Sequence, residues 1–121
     1  RIGQPLQKAL PLYIENSPVF HIEKVKTPLL ILANDADDAV PWYQGIELFL
    51  ALRRYNKPAW LWSYNGELHH LRRRADAKDV ARRAWQFFDH YLRGAPAPEW
   101  MEKGVPYIER DEEKLRFNPA K

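Results

Sequence analysis

Two short polar segments carry side chains able to do acid–base chemistry. Asn34-Asp-Ala-Asp-Asp38 offers carboxylates at Asp35, Asp37 and Asp38, and Asn65-Gly-Glu-Leu-His-His70 offers imidazoles at His69 and His70. An imidazole changes charge near neutral pH, and a carboxylate bonded to it fixes its tautomer and stabilises its protonated form. Such a pair can take a proton from a third group and give it back. Each residue also has a plainer reading. An aspartate-rich turn after a strand is structural in most proteins, and a histidine pair can be a solvated surface feature or half of a metal site. No third ligand stands at zinc-like spacing, so no metal and no cofactor is expected. His21 and His90 fit no motif, and His90 reads as a residue on the polar face of a helix.

The segments around these loops show how they are positioned. Pro28-Leu-Leu-Ile-Leu-Ala33 is apolar without alternation, as in a strand buried on both faces of a parallel sheet. The aspartate-rich loop leaves its carboxyl end. From Pro41 to Tyr55, apolar residues at Trp42, Ile46, Phe49, Leu50 and Leu52 recur at helical spacing, and Asn56-Lys57-Pro58 stops the helix. Ala59-Trp-Leu-Trp-Ser-Tyr64 reads as a second buried strand, rich in aromatics. A strand-helix-strand crossover makes the two strands parallel. Both polar loops therefore leave the same end of the sheet, where α/β proteins gather reactive groups.

A further helix is expected from about Ala77, with Asp76 as its N-cap and Gly94 as its stop. Val80, Ala84, Phe87, Phe88 and Tyr91 should face the sheet, with Arg82, Arg83, Gln86 and Asp89 opposite. Arg72, Arg73 and Arg74 read as a solvated run leading into that helix, and Trp42, Trp60, Trp62 and Trp85 as core. Residues 1–27 read as a connecting segment in which Pro5, Pro11 and Pro18 interrupt any long helix. They leave room for a short one at Val19 to Val25 behind Ser17-Pro18. Residues 28–94 form the α/β unit, and residues 95–121 read as a surface tail.

Composition sets the outer bounds. Hydrophobic residues at 45% and charged residues at 29% are those of a chain that folds. The net charge of +3 is small and its basic residues are scattered among acidic ones, so no nucleic-acid partner is expected. No apolar run approaches the roughly 20 residues that span a bilayer, so no membrane helix is expected. Cysteine is absent, which leaves the compartment open between periplasmic, secreted and cytoplasmic. Two strands apolar on both faces need neighbouring strands to cover them. With a first residue of Arg1, the chain is expected to be an internal piece of a larger sheet.

The stretches Tyr13-Ile-Glu-Asn-Ser-Pro18, Lys26-Thr-Pro-Leu-Leu-Ile31, Asp35-Ala-Asp-Asp-Ala-Val-Pro41 with Gln44, Tyr64-Asn-Gly-Glu-Leu-His69 and Phe87-Phe-Asp-His-Tyr-Leu92 carry a resemblance. Over roughly residues 12–105 the chain resembles the C-terminal part of the catalytic domain of the prolyl oligopeptidase family of serine peptidases. The resemblance implies an α/β fold, namely the C-terminal strand-helix-strand-helix portion of an α/β-hydrolase with parallel strands flanked by helices. It also implies that Asp37, three residues before Val40 in an Asp-x-x-Val-Pro pattern, is the catalytic acid. By the same token His69, in a Gly-Glu-x-His pattern, is the catalytic base. Two departures stand out: His70 where glycine is common, and Ala33-Asn34 in place of His-Gly.

The order acid then histidine is that of α/β-hydrolases, whose serine comes first in a Gly-x-Ser-x-Gly elbow. The chain's serines, Ser17 and Ser63, have no such glycines. It is therefore expected to supply the acid and base but not the nucleophile, and to be inactive alone. The expected partners are a peptide substrate in the full-length protein, the missing N-terminal part of the same domain, and further copies of this chain meeting through exposed apolar faces. Two other readings stand beside this one: a fragment of an esterase or lipase, and a non-catalytic protein-interaction module recruiting partners along a free sheet edge.

Overall fold

The computed structural model describes residues 2–110. In chain order these form helix α1 (Leu6–Glu15), a 3-10 segment (Pro18–Lys24), strand β1 (Leu29–Leu32), helix α2 (Trp42–Arg54) and strand β2 (Ala59–Trp62). Helices α3 (Arg74–Arg93) and α4 (Glu99–Lys103) follow, then a 3-10 turn (Tyr107–Glu109). The strands are parallel neighbours in register from Leu29 opposite Ala59 to Leu32 opposite Trp62.

Alternation along the strands sends successive side chains to opposite faces. On one face Leu29, Ile31 and Ala59 meet Leu48, Phe49 and Leu52 of α2 and Ile22 and Val25 from the segment before β1. On the other, Leu30, Trp60 and Trp62 meet Phe87 of α3 and Trp100 and Met101 of α4. The unbroken apolarity of both strands follows from this sandwich, since helices lie against both faces, with Leu32 at the end of β1 left 43% exposed. Leu52 has no exposed surface, and truncating such a leucine to alanine typically costs about 2–5 kcal/mol.

Helix α2 approaches the end of β1 closely because Gly45 has no side chain. A Cβ there would lie 2.4 Å from the Ala33 Cβ. The helix ends at Tyr55, and Asn56 takes a positive φ of 52° to turn the chain into β2. Asparagine is among the few residues that adopt this region readily.

Several expectations are corrected. The first 27 residues hold no long helix, but they carry a short one the sequence did not single out: α1 has Pro11 inside it and is broken by a kink at Ala9 (φ −139°, ψ 34°). The kink accommodates a ring that can neither donate its amide nor pass the preceding turn unstrained. Asp76 is not the N-cap of α3. The helix begins at Arg74, and Asp76, in its first turn, pairs at 2.8 Å with the Nε of Arg73.

The buried face of α3 is also different. Asp76, Asp79, Arg83 and Phe87 point inward, while Phe88 is 55% exposed and Trp85 69%. Arg83 can be buried because its Nε bonds Asp79 at 2.7 Å and its guanidinium lies 3.7 Å from the ring centre of Trp62. The stretch after Gly94 is not all surface, because Trp100 and Met101 of α4 are core residues. Trp60 ties them down through an Nε1 bond of 2.9 Å to the Met101 carbonyl. The charged stretch from Glu109 to Lys114 lies outside the described residues beyond Arg110.

Candidate active site

The acid turn begins where β1 ends. The Asp37 amide donates to the Asn34 carbonyl at 3.3 Å, and Asp37 Oδ1 accepts the amides of Ala39 and Val40, each at 2.8 Å. This is the local side-chain-to-backbone bonding that makes aspartate a turn former. It also fixes the carboxylate and leaves Oδ2 free to face across the sheet.

There Oδ2 lies 3.0 Å from Nδ1 of His69. Asp37 has only 10% of its side chain exposed, against 44% for His69. The Val40 amide does most to hold the Asp37 carboxyl at about 2, and bonds from His69 and Ala39 add to it against the opposing effect of burial. The carboxylate is thus ionised at neutral pH and can only accept, so Nδ1 carries the hydrogen. In the neutral ring, Nε2 is then the unprotonated atom, ready to take a proton.

The base loop is built as firmly. Tyr64, at its start, is buried and donates its hydroxyl to Asp79 of α3 at 2.7 Å. Burial, and then the Asp79 carboxylate, push that hydroxyl's pKa up. Asp79 also receives Arg82 and Arg83, each at 2.7 Å. These bonds outweigh its burial and keep its pKa low.

Glu67 closes the loop from inside. Its buried carboxylate accepts the amides of Arg72 at 2.5 Å and Arg73 at 3.0 Å, and the Nε of Arg73 at 2.7 Å. The Arg72 amide is the chief cause that holds its pKa at about 2, and Arg73 contributes further. Arg73 also bonds the Asn65 carbonyl. Within the run read as solvated, Arg73 is thus a clamp on the base loop.

Two side chains join the loops directly. Asp35 Oδ1 accepts the Gly66 amide at 2.6 Å. Asn34, 2% exposed, accepts the Tyr64 amide at 3.1 Å and donates to the Leu68 carbonyl at 2.8 Å.

Of the candidates named from sequence, the structure brings together Asp37 and His69. His70 stacks edge-on against His69 with ring centres 5.1 Å apart, and Asp38 is exposed. His90, near the end of α3, places Nδ1 2.7 Å from the carbonyl of Ala95 in the stretch that follows the helix. Sequence reasoning passed over Asn34, Glu67 and Tyr64. Short polar residues beside a strand end look like ordinary turn formers, and only the spacing of Glu67 just before the histidine gave a hint of its place. Among the described residues no group of three or more His, Cys, Asp or Glu is arranged to hold a metal ion.

Residues 2–95 match the prolyl oligopeptidase family. The chain belongs to that family. It is 40% identical over 58 residues to the acylamino-acid-releasing enzyme of Homo sapiens, a stretch covering 48% of this chain and 8% of that protein. It is 34% identical over 67 residues to acylamino-acid-releasing enzyme 2 of Oryza sativa subsp. japonica, covering 55% and 9%. With the uncharacterized peptidase YuxL of Bacillus subtilis it shares 32% identity over 83 residues, covering 64% and 12%. The chain thus spans about a tenth of the length of these relatives. The prolyl oligopeptidase family match implies an α/β-hydrolase fold, with which two parallel strands between helical layers agree.

Proposed function

We propose that this chain is the acid-and-base end of the catalytic domain of a serine peptidase that releases acylated amino acids from peptides. The observation that carries the proposal is the 3.0 Å contact between His69 Nδ1 and an Asp37 carboxylate whose other oxygen is held by two amides. In this reading His69 Nε2 takes the proton of a serine hydroxyl supplied by the rest of the domain. The serine oxygen attacks the scissile carbonyl, and His69 passes the proton to the departing amine. Water then releases the acyl group by the same route, while Asp37 stabilises the imidazolium in both halves.

The chain's own serines do not fit the nucleophile's part. Ser17 Oγ donates to the Tyr13 carbonyl at 2.6 Å, and the Ser63 hydroxyl is buried. The chain alone should therefore hydrolyse nothing. The rest of the domain would add strands beside β1, whose Leu32 is half exposed here.

An esterase could use the same pair. The similarity to acylamino-acid-releasing enzymes favours the peptidase. The test is hydrolysis of an N-acetylated amino-acid anilide by the full-length protein, alongside labelling by a fluorophosphonate. Cleavage and labelling that both fall away in the His69→Ala variant support the reading. Hydrolysis of simple esters alone would replace it with the esterase, and an inert full-length protein would replace it with a non-catalytic module.

A further inference from the structure

The distance between acid and base is held by more than their own hydrogen bond. Asn34 lies immediately past the last strand contact, the Ala33 amide bonded to the Trp62 carbonyl at 3.0 Å. Its main-chain carbonyl receives the Asp37 amide at 3.3 Å, so it forms the base of the acid turn. Its side chain crosses to the other loop. Oδ1 accepts the Tyr64 amide at 3.1 Å where that loop begins, and Nδ2 donates at 2.8 Å to the Leu68 carbonyl, part of the peptide that continues into His69. One residue thus touches the backbone of both catalytic loops, and Tyr64 ties it through Asp79 to helix α3.

The chemistry of the side chain suits this place. A carboxamide donates and accepts at once without charge. An ionised aspartate could accept from Tyr64 but would set an oxygen against the Leu68 carbonyl. Alanine or glycine could do neither, and would take away both bonds that Asn34 makes to the base loop.

We infer that Asn34 is a positioning residue for the base, a strap that holds the Leu68–His69 peptide at bonding distance from the acid turn. The inference rests on the acid–base reading of Asp37 and His69. Without the strap the base loop is still closed by Glu67 and tied to the acid turn by Asp35 at Gly66, but the Leu68–His69 peptide loses its own bond to the acid turn and can shift from Asp37. A misplacement of about an ångström at a catalytic group costs on the order of 100-fold in rate.

The experiment is steady-state kinetics of the full-length protein, with Asn34→Ala and Asn34→Asp. The expected result for both is a kcat lowered roughly 10- to 100-fold with KM within about twofold, because the strap touches no substrate. A purely structural residue would lower the melting temperature and leave kcat in place, and that result overturns the inference. Asn34→Asp keeps the volume and the bond to Tyr64. Should the alanine variant not fold, wild-type kcat in the aspartate variant overturns the inference by itself. His69→Ala and Asp37→Asn in the same assay separate the two ideas. Activity that survives them removes the acid–base reading and this one with it. Their loss alongside unimpaired Asn34 variants removes this one alone.

Discussion

His69 Nδ1 meets Asp37 Oδ2 at 3.0 Å while Asp37 Oδ1 is held by the amides of Ala39 and Val40, so the two oxygens of one carboxylate have separate duties. One anchors the carboxylate to its own turn, and the other meets the imidazole on a loop 32 residues further along the chain. Backbone amides thus fix the carboxylate independently of its contact with the imidazole.

Replacing either partner in the full-length protein should nearly abolish turnover. Asp37→Asn should lower kcat about 10⁴-fold by favouring the wrong tautomer, and His69→Ala by a similar factor. Asp38→Asn and His70→Ala should change it only severalfold, since Asp38 is solvent-facing and His70 only stacks on the base. Steady-state kinetics with folding checked by circular dichroism measures this. A larger loss from the His70 variant than from the His69 variant would move the base by one residue.

Acid should loosen the site through two carboxylates. The folded-state pKa values of Asp37 and Glu67 are both lowered to about 2, below the ~4 of unfolded aspartate and glutamate. Their contribution to stability is therefore complete above about pH 4.5 and is lost as pH falls towards 2. Glu67→Gln removes the Glu67 part. Its unfolding free energy should be lower than wild type at pH 7, and the gap should narrow between pH 4.5 and 2. A gap that stays constant over that range would show that the Glu67 charge is not what closes the loop.

Gly45→Ala tests the close approach of α2 to the end of β1. An alanine there gains up to about 1 kcal/mol of helix propensity, but its Cβ would lie 2.4 Å from the Ala33 Cβ. Overpacking of that kind costs about 1–3 kcal/mol, so the variant should melt at lower temperature. In an Ala33→Gly background the clash is gone and Gly45→Ala should become stabilising. Additive effects of the two substitutions in a double-mutant cycle would refute the contact.

The isolated chain should associate with itself. Trp85, Phe88 and Leu92 form an exposed apolar stripe along α3 beside Ala81 and Ala84, and contiguous patches of this kind drive association. Sedimentation should show dimers or larger species that shift towards monomer in a Trp85→Ser, Phe88→Ser double variant. A monomer at all concentrations for the unmodified chain would contradict this.

Sequence by itself determined the strand-helix-strand unit. Unbroken apolarity in residues 28–33 and 59–62 can be satisfied only between two covering layers, and the helix between them has a clear 3.6-residue period. The placement of the polar loops at the carboxyl ends of parallel strands, which share one rim of the sheet, narrowed the candidates to Asp35, Asp37, Asp38, His69 and His70, and the resemblance to the peptidase family chose Asp37 and His69 among them. What the sequence left undecided depends on contacts between residues far apart in the chain. Arg83 and Asp79 turn inward on α3, against their polarity, because each finds the other and Arg83 also finds the face of Trp62. Trp100 and Met101 enter the core because the aromatic face of β2 needs a cover that α3 alone does not supply. The tie between the two loops through Asn34 and Asp35 is a matter of which backbone groups lie opposite a strand end. That was settled only when β1 and β2 paired in register.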